Sequence, residues 1–279
     1  MKMKKILIFR NASLGDFIVG IPAISIIRKK FFNHKIYYLS KGNIKSGSIN
    51  PHTIFNNKLI DEFIYINKKD NSFFGLINLI IKLRKYEFIK LFYLNETENI
   101  EIFRTLKTIL FFSFCKIKRM IGFSLRYKTN YMKGNESFHL AKRVDNNIKR
   151  KDIHKAINSS YKIDKNSQNL TLKKFISKRK SKNFITISHG LRNPIKDWGF
   201  NNWKILLKEI NNNYPTLKII IIGTKREYKR AKKLKKIKTR NIINLCGKTN
   251  IKELMEIINK SKFHISHDDG TMHVASIFN

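Results

Sequence analysis

A polar segment late in the chain combines residue types that bind anions. Ser266-His267-Asp268-Asp269-Gly270-Thr271 follows an apolar run at 263–265 and precedes a predicted helix. A helix that begins directly after a strand presents backbone N–H groups without partners, and such groups attract phosphate. The segment therefore predicts a phosphate site. His273 would face it from one turn into the helix, or would be an ordinary packed or surface histidine.

A second candidate follows the first predicted strand, in Arg10-Asn11-Ala12-Ser13-Leu14-Gly15-Asp16. Gly15 permits a close approach of the backbone, and Asp16 stands at the start of a predicted helix. Two roles are open for Asp16. Its carboxylate either caps the helix, which is worth about 1 kcal/mol, or acts as a general base towards a hydroxyl group.

Two further loops in the second half of the chain carry charged residues. Ser188-His189-Gly190 leads to Lys196, and a glycine loop with a lysine beyond it can hold a diphosphate. A solvated lysine is the alternative in so basic a chain. Glu227 follows Gly223-Thr224 and is either an exposed first-turn carboxylate favoured by the helix dipole or an acceptor for ribose hydroxyls.

Alternating strands and helices position these segments. Predicted strands lie at 6–10, 35–39, 62–66, 88–94, 184–188, 217–222, 242–245 and 263–266, with helices at 17–31, 72–84, 98–114, 201–212, 225–236 and 251–259. This alternation predicts parallel sheets. The polar segment 161–183 separates two such series and is interpreted as an interdomain connection. Ligands of parallel sheets bind at the carboxyl ends of strands, where all four candidate segments lie.

The chain is strongly basic, with 58 Lys and Arg against 19 Asp and Glu and a formal net charge of +39. Lys, Asn and Ile are abundant throughout, as in proteins from AT-rich genomes, and the basic residues are spread along the whole chain. An anionic membrane surface or an acidic substrate is the next interpretation. Nucleic acid is not expected, because no helix-turn-helix, zinc module or stacking platform accompanies the charge.

The cysteines and the apolar stretches limit where in the cell the protein is expected. Cys115 and Cys246 are isolated in apolar contexts and are predicted to be core thiols. The apolar stretches at 73–81 and 108–115 are shorter than the roughly 20 residues that span a bilayer, and no signal peptide is evident. We therefore expect a soluble or peripheral protein.

Taken in order, these motifs resemble glycosyltransferase family 9, the ADP-heptose:lipopolysaccharide heptosyltransferases. The stretch 6–22 resembles the family's strand, Ser-Leu-Gly-Asp turn and helix. Further similarities are Arg119-Met120-Ile121-Gly122-Phe123, Phe138-His139, Lys196-x-Trp198 and Asp268-x-Gly270-x-x-His273. Each motif alone is weak, whereas their order and spacing together are fairly specific.

The resemblance implies an α/β protein of the GT-B type, with two Rossmann-like domains whose parallel sheets face each other across a cleft. Residues 1–165 would form the acceptor-side domain and residues 166–279 the nucleotide-sugar-binding domain. The family inverts the anomeric centre and is not known for a catalytic metal. No cofactor is implied, since the nucleotide-sugar, ADP-heptose by resemblance, is a substrate.

The resemblance also implies roles for individual residues. Asp16 would be the general base, on a loop with Ser13 and Gly15. The donor-binding residues and their implied partners are Lys196 for the diphosphate, Glu227 for the ribose, Asp268 for the sugar hydroxyls, Gly270 and His273 for phosphate, and Ser188 and Gly190 for the donor loop. The acceptor would be a lipopolysaccharide core or lipid A precursor. The resemblance therefore implies a cytoplasmic protein that is either free or peripheral on the anionic inner-membrane surface.

Two departures from the family pattern leave an alternative. Asp269 stands where the family usually has Ser or Thr, so it either caps the helix or indicates a different donor preference. The family continues beyond this segment with another strand and closing helices. We therefore expect the sequence to end at Asn279 before the fold of the family is complete. A truncated or non-catalytic relative that binds nucleotide or an anionic surface without turnover is the alternative.

Overall fold

The computed structural model describes residues 3–11, 13–41, 59–67, 70, 72–95, 102–123, 136–160, 164–176, 183–190, 194–235 and 241–278. The chain divides into two compact units, Met1–Tyr161 and Lys162–Asn279. We call them the N-terminal unit and the C-terminal unit.

The N-terminal unit is built on a parallel sheet. Its strands are β1 (Lys5–Phe9), β2 (Lys35–Lys41), β3 (Glu62–Ile66), β4 (Phe88–Tyr93) and β5 (Arg119–Ile121). They lie in the order β3-β2-β1-β4-β5, and all neighbours pair in parallel. The central strand β1 is almost continuously apolar because both faces of a parallel sheet are covered. The predicted parallel α/β architecture is confirmed.

Helices cover this sheet. They are α1 (Leu14–Lys30), α2 (Phe73–Arg84), α3 (Ile102–Phe114), α4 (Glu136–Val144) and α5 (Arg150–Ser160). α2 and α3 pack on the same apolar cluster as Leu7 and Phe9. α1 is buried along most of its length because it also packs against α4 and α5, where Ile26 meets Ala141 and Ile153.

The Arg119–Phe123 motif has a packing role. Gly122 adopts a φ of +97°, and a Cβ added there would lie 2.3 Å from the carbonyl oxygen of Tyr93. Only glycine fits this turn after β5. The next residue, Phe123, stacks on Tyr93 with ring centroids 4.2 Å apart.

The C-terminal unit repeats the architecture. Its strands are β6 (Phe184–Ser188), β7 (Lys218–Ile221), β8 (Ile242–Asn244) and β9 (His264–Ser266), in the all-parallel order β8-β7-β6-β9. Its helices are α6 (Lys165–Phe175), α7 (Phe200–Asn213), α8 (Tyr228–Lys235), α9 (Ile251–Lys260) and α10 (Gly270–Ala275). Short 3-10 turns at Pro194–Lys196 and Lys225–Glu227 precede α7 and α8.

The interpretation of segment 161–183 as a connection is wrong for its middle part, which forms α6 and packs on α9. Gln168 donates from Nε2 to the carbonyl oxygen of Glu256 at 3.0 Å, and Thr171 donates from Oγ1 to its carboxylate at 2.6 Å. Two polar residues of this segment, Gln168 and Thr171, are therefore buried partners of a second helix. The basic run at 178–182, which also suggested a connection, lies outside the described residues.

Both cysteines are buried and free, as predicted, and burial raises the pKa of each thiol to about 12. None of the described helices combines the length and the apolar character needed to cross a bilayer.

Candidate active site

Asp16 lies in the first turn of α1, directly after the carboxyl end of β1. Its Oδ2 accepts a hydrogen bond of 2.8 Å from the backbone N–H of Ser13, so one carboxylate oxygen is held in place. Asp16 and Ser13 are half-buried, whereas Gly15 is buried under the turn. Capping and base function are therefore compatible, because capping uses only one of the two carboxylate oxygens.

Arg10 organises the same turn from below, and its side chain is 1% exposed. It donates from Nε to the carbonyl oxygen of Asp16 at 3.0 Å, to the carbonyl oxygen of Leu94, and from Nη2 to Glu136 at 2.8 Å. One buried guanidinium thus joins the start of α1, the end of β4 and the start of α4. The sequence places Arg10 at the end of a predicted strand but does not reveal this role, since Leu94 and Glu136 lie 84 and 126 residues away.

In the C-terminal unit, the predicted donor residues gather at the carboxyl edge of the sheet. Ser188 ends β6 and pairs in register with Ser266, which ends β9. Lys196, in the turn after β6, donates from Nζ to Oδ2 of Asp268, just beyond β9. This bond holds the pKa of Asp268 below its ordinary value, with a further contribution from the charge of His273.

The turn that carries Lys196 is fixed by its next two residues. Asp197 accepts two hydrogen bonds from Arg230 on α8, at 2.8 and 2.9 Å, which lower the pKa of Asp197 to about 2. Trp198 donates its backbone N–H to Nε2 of His267 at 3.1 Å. The neighbouring residues His267 and Asp268 therefore bind two positions of the same turn, Trp198 and Lys196. Arg230 escaped sequence reasoning because it lies in a helix full of similar cations.

Asp269 is the helix cap that the sequence left as one alternative. Its Oδ1 accepts from the N–H of Thr271 at 2.7 Å and of Met272 at 3.2 Å, and its Oδ2 accepts from Ser188 Oγ at 2.8 Å. These two helix N–H groups are thus occupied by a carboxylate, and the prediction that they are open to phosphate is wrong. The N–H of Gly270 is not among them.

Glu227 lies against two glycines. A Cβ added to Gly190 would lie 2.4 Å from Glu227 Cγ, and one added to Gly223 would lie 3.3 Å from its Oε2. Oε2 accepts from the backbone N–H of Thr224 at 2.7 Å and from the hydroxyl of Thr224. Glu227 is therefore a half-buried capping residue rather than an exposed first-turn carboxylate, and its Oε1 takes no part in the cap.

Two buried histidines lie beneath this edge. The ring of His267 packs edge-on against Trp203, with centroids 5.1 Å apart. His189 is fully buried, and within the described ranges neither of its ring nitrogens has a hydrogen-bond partner. Burial, followed by the charges of Arg230 and His267, lowers the pKa of His189 to about 4, so the ring is neutral at physiological pH.

The structure thus joins Lys196 to Asp268, Ser188 to Asp269 and Gly190 to Glu227, all at one edge of one sheet. Asp16, with Ser13 and Gly15, belongs to the N-terminal unit. In the described part of the chain, no group of three or more His, Cys, Asp or Glu is placed to hold a metal ion.

Two parallel sheets, each wound with helices and each with polar groups at its carboxyl edge, define an α/β protein of the GT-B class. The chain belongs to glycosyltransferase family 9 (heptosyltransferase), whose model matches residues 101–278. The resemblance drawn from the sequence motifs is confirmed.

Solved structures show the same fold at low sequence identity. ADP-heptose lps heptosyltransferase II from E. coli is 15% identical with a TM-score of 0.65, over 99% of this chain and 82% of that chain. A family 9 glycosyl transferase from Veillonella parvula DSM 2008 is 18% identical with a TM-score of 0.65, over 98% and 77%. E. coli heptosyltransferase WaaC with ADP-2-deoxy-2-fluoro heptose is 14% identical with a TM-score of 0.60, over 98% and 86%. No curated protein sequence matches the chain.

Proposed function

We propose that this protein is an inverting, metal-independent glycosyltransferase. It transfers heptose, or a related sugar, from a nucleotide-diphosphate sugar to a lipopolysaccharide core acceptor in the cytoplasm. Family membership supports sugar transfer, and the neighbour solved with an ADP-heptose analogue supports the donor class. The observation that carries the proposal is the gathering of Lys196, Asp268 and Glu227 at the carboxyl edge of one parallel sheet.

On the donor side, the charge of each side chain determines which part of the nucleotide-sugar it would bind. Lys196 is half-exposed and, among the described residues, pairs with a single carboxylate, so a diphosphate of higher charge can take over its ammonium group. Asp268, released from Lys196, then accepts from sugar hydroxyls. Glu227 offers Oε1 to the ribose, while His273 and the N–H of Gly270 face phosphate. Lysine stabilises the departing nucleoside diphosphate, in place of a metal ion.

On the acceptor side, Asp16 acts as the general base. Its carboxylate removes the proton of the attacking hydroxyl while that oxygen bonds to the anomeric carbon. The bond from this carbon to the diphosphate oxygen breaks on the opposite face, which inverts the configuration. The N–H of Ser13 keeps one oxygen of Asp16 fixed, so the other is directed at the substrate.

The test is release of ADP from ADP-heptose by the full chain, with and without a heptose-deficient core acceptor. Acceptor-dependent release that persists in EDTA, with a product of inverted anomeric configuration by NMR, is the expected result. Hydrolysis without transfer, or a requirement for added metal, contradicts the proposal.

A second candidate function is nucleotide binding without turnover. Asp269 favours it, because its carboxylate occupies two helix N–H groups and adds a negative charge beside the diphosphate-binding residues. Calorimetry with ADP separates the two functions. Micromolar binding without transfer identifies a binding protein, whereas transfer by the same preparation excludes this candidate.

A further inference from the structure

The outward side of α2 and α3 is apolar. Both helices cover one face of the N-terminal sheet, yet only Leu79, Leu83 and Phe112 are buried along them. Their most exposed apolar side chains are Phe73, Phe74, Ile102, Phe103, Leu110 and Phe114. Three of the four phenylalanines among them, Phe73, Phe74 and Phe103, have 74%, 75% and 80% of their surface exposed. We call this surface the α2–α3 face.

A group of exposed apolar side chains is unusual on a folded protein, whereas single exposed apolar residues are common. Grouped exposed apolar side chains mark an interaction site on a folded protein. In the same unit, the apolar helix α1 is buried under α4 and α5. The outward apolar side chains of α2 and α3 have no such cover among the described residues. Arg84 on α2 donates from Nε to the carbonyl oxygen of Phe114 on α3 at 2.6 Å, which joins the C-terminal ends of the two helices.

The charges carried by α2 and α3 indicate what the α2–α3 face binds. Neither helix contains an acidic residue, whereas both carry exposed cations: Lys82, Arg84, Arg104 and Lys107. Aromatic side chains flanked by lysine and arginine are typical of helices that lie in the interface of an anionic bilayer. The apolar rings enter the acyl boundary while the long basic side chains reach the lipid phosphates.

We propose that the α2–α3 face docks onto an anionic phospholipid bilayer, with Phe73, Phe74 and Phe103 inserted at the level of the head groups. A second copy of the chain is a poorer occupant. Two such faces would bring like cations together in a protein of net charge +39. The docking does not depend on catalysis, so it can be tested without donor or acceptor.

The test compares matched variants of the full chain by flotation with vesicles of phosphatidylcholine alone or mixed with phosphatidylglycerol. The test variant is Phe73→Ser/Phe74→Ser/Phe103→Ser. The control is Phe32→Ser/Leu170→Ser/Ile205→Ser, which removes three apolar side chains that are 72%, 65% and 58% exposed elsewhere. Salt of about 0.5 M suppresses general attraction of a basic protein to anionic lipid.

Under these conditions the test variant is expected to bind mixed vesicles about tenfold or more weakly than the wild type. The control variant is expected to bind as the wild type does. At low salt, where the lipid charge is not screened, phosphatidylcholine vesicles are expected to bind more weakly than mixed vesicles. Lys82→Ala/Lys107→Ala should lose about tenfold or more at low salt, and Lys204→Ala/Lys208→Ala on α7 should lose less.

Equal binding by the test and control variants overturns the proposal, because attachment would then follow net charge alone. It is also overturned if sedimentation velocity without vesicles shows a dimer that only the test variant dissociates, since the face would then bind a second copy. Far-UV circular dichroism checks that the variants fold. Failure of ADP release leaves this result unaffected, so the two proposals fail separately.

Discussion

Lys196 and Asp268, which are 72 residues apart in sequence, form an ion pair at the carboxyl edge of the C-terminal sheet. The pair exists because β6 and β9 are neighbours, which places the turns after both strands side by side. Both side chains are about half-exposed, so the pair adds little stability. Under the proposed function, Lys196 and Asp268 would exchange each other for the diphosphate and the sugar hydroxyls of the donor.

Replacing Lys196 is expected to slow sugar transfer with little effect on folding. If Lys196 is the cation that stabilises the leaving diphosphate, Lys196→Ala should lower kcat about 10²- to 10³-fold. Lys204→Ala, an exposed lysine on α7 of the same unit, should keep the wild-type rate. Steady-state ADP release measures both. A Lys196→Ala rate within a few-fold of the control contradicts the role of Lys196.

The Asp197–Arg230 pair is expected to keep the Lys196 turn rigid. Asp197→Asn loses the bidentate ion pair, so Trp198, 48% exposed, should become more accessible to acrylamide. The buried Trp203 contributes little to this quenching. Glu209→Gln, an exposed acid on α7, serves as the control. If Asp197→Asn and the control are quenched equally, the turn does not depend on Arg230.

The strands and the positions of the site residues follow largely from patterns in the sequence, but the pairs of side chains that contact each other do not. Buried parallel strands are continuous apolar runs, so β1 and β6 are evident, and the rule on carboxyl ends places Asp16 and Asp268 correctly. The sequence does not reveal α6, because two of its three buried residues, Gln168 and Thr171, are polar. Their hydrogen-bond partner, Glu256, lies 88 and 85 residues away in the sequence.

Contacts between residues distant in sequence are also what the sequence fails to reveal at the candidate site. Helix patterns allow Asp269 to be a cap, yet only the register of β6 with β9 shows Ser188 holding its second oxygen. Likewise, Arg10 and Arg230 resemble the many solvated cations of this chain. Their partners Glu136 and Asp197 lie 126 and 33 residues away, so no local signal identifies them.

Gly190 is expected to act on nucleotide binding through Glu227. Gly190→Ala places a methyl group 2.4 Å from Glu227 Cγ, so the carboxylate must move. The affinity for ADP should fall roughly tenfold, the worth of one hydrogen bond to a charged group. Calorimetry of both single variants and the double variant with Glu227→Ala forms a thermodynamic cycle. The double variant should bind as Glu227→Ala does, and additive losses would contradict the coupling.

His189 is expected to make the C-terminal unit labile in acid. Its pKa is about 4 in the folded unit and 6.5 when unfolded, so the unfolded state binds the proton first as pH falls. Stability is therefore fully present above pH 6.5 and decreases down to about pH 4, by roughly 3 kcal/mol.

Urea unfolding followed by tryptophan fluorescence measures this effect, because Trp198 and Trp203 are the only tryptophans of the chain and both lie in this unit. His189→Leu cannot titrate and should flatten the dependence on pH. A smaller slope should remain from His264, whose pKa burial also lowers. Identical slopes for His189→Leu and the wild type contradict the assignment.

The most direct measurement of sugar transfer compares acceptor-dependent ADP release by the wild type, Asp16→Asn and Asp152→Asn. Both aspartates accept a backbone N–H three residues earlier, at 2.8 and 3.0 Å, so both substitutions change the same kind of cap. If Asp16 is the base, only Asp16→Asn slows transfer, by about 10²- to 10⁴-fold, while ADP still binds. Equal rates for the two variants, or no transfer by the wild type, would contradict the account.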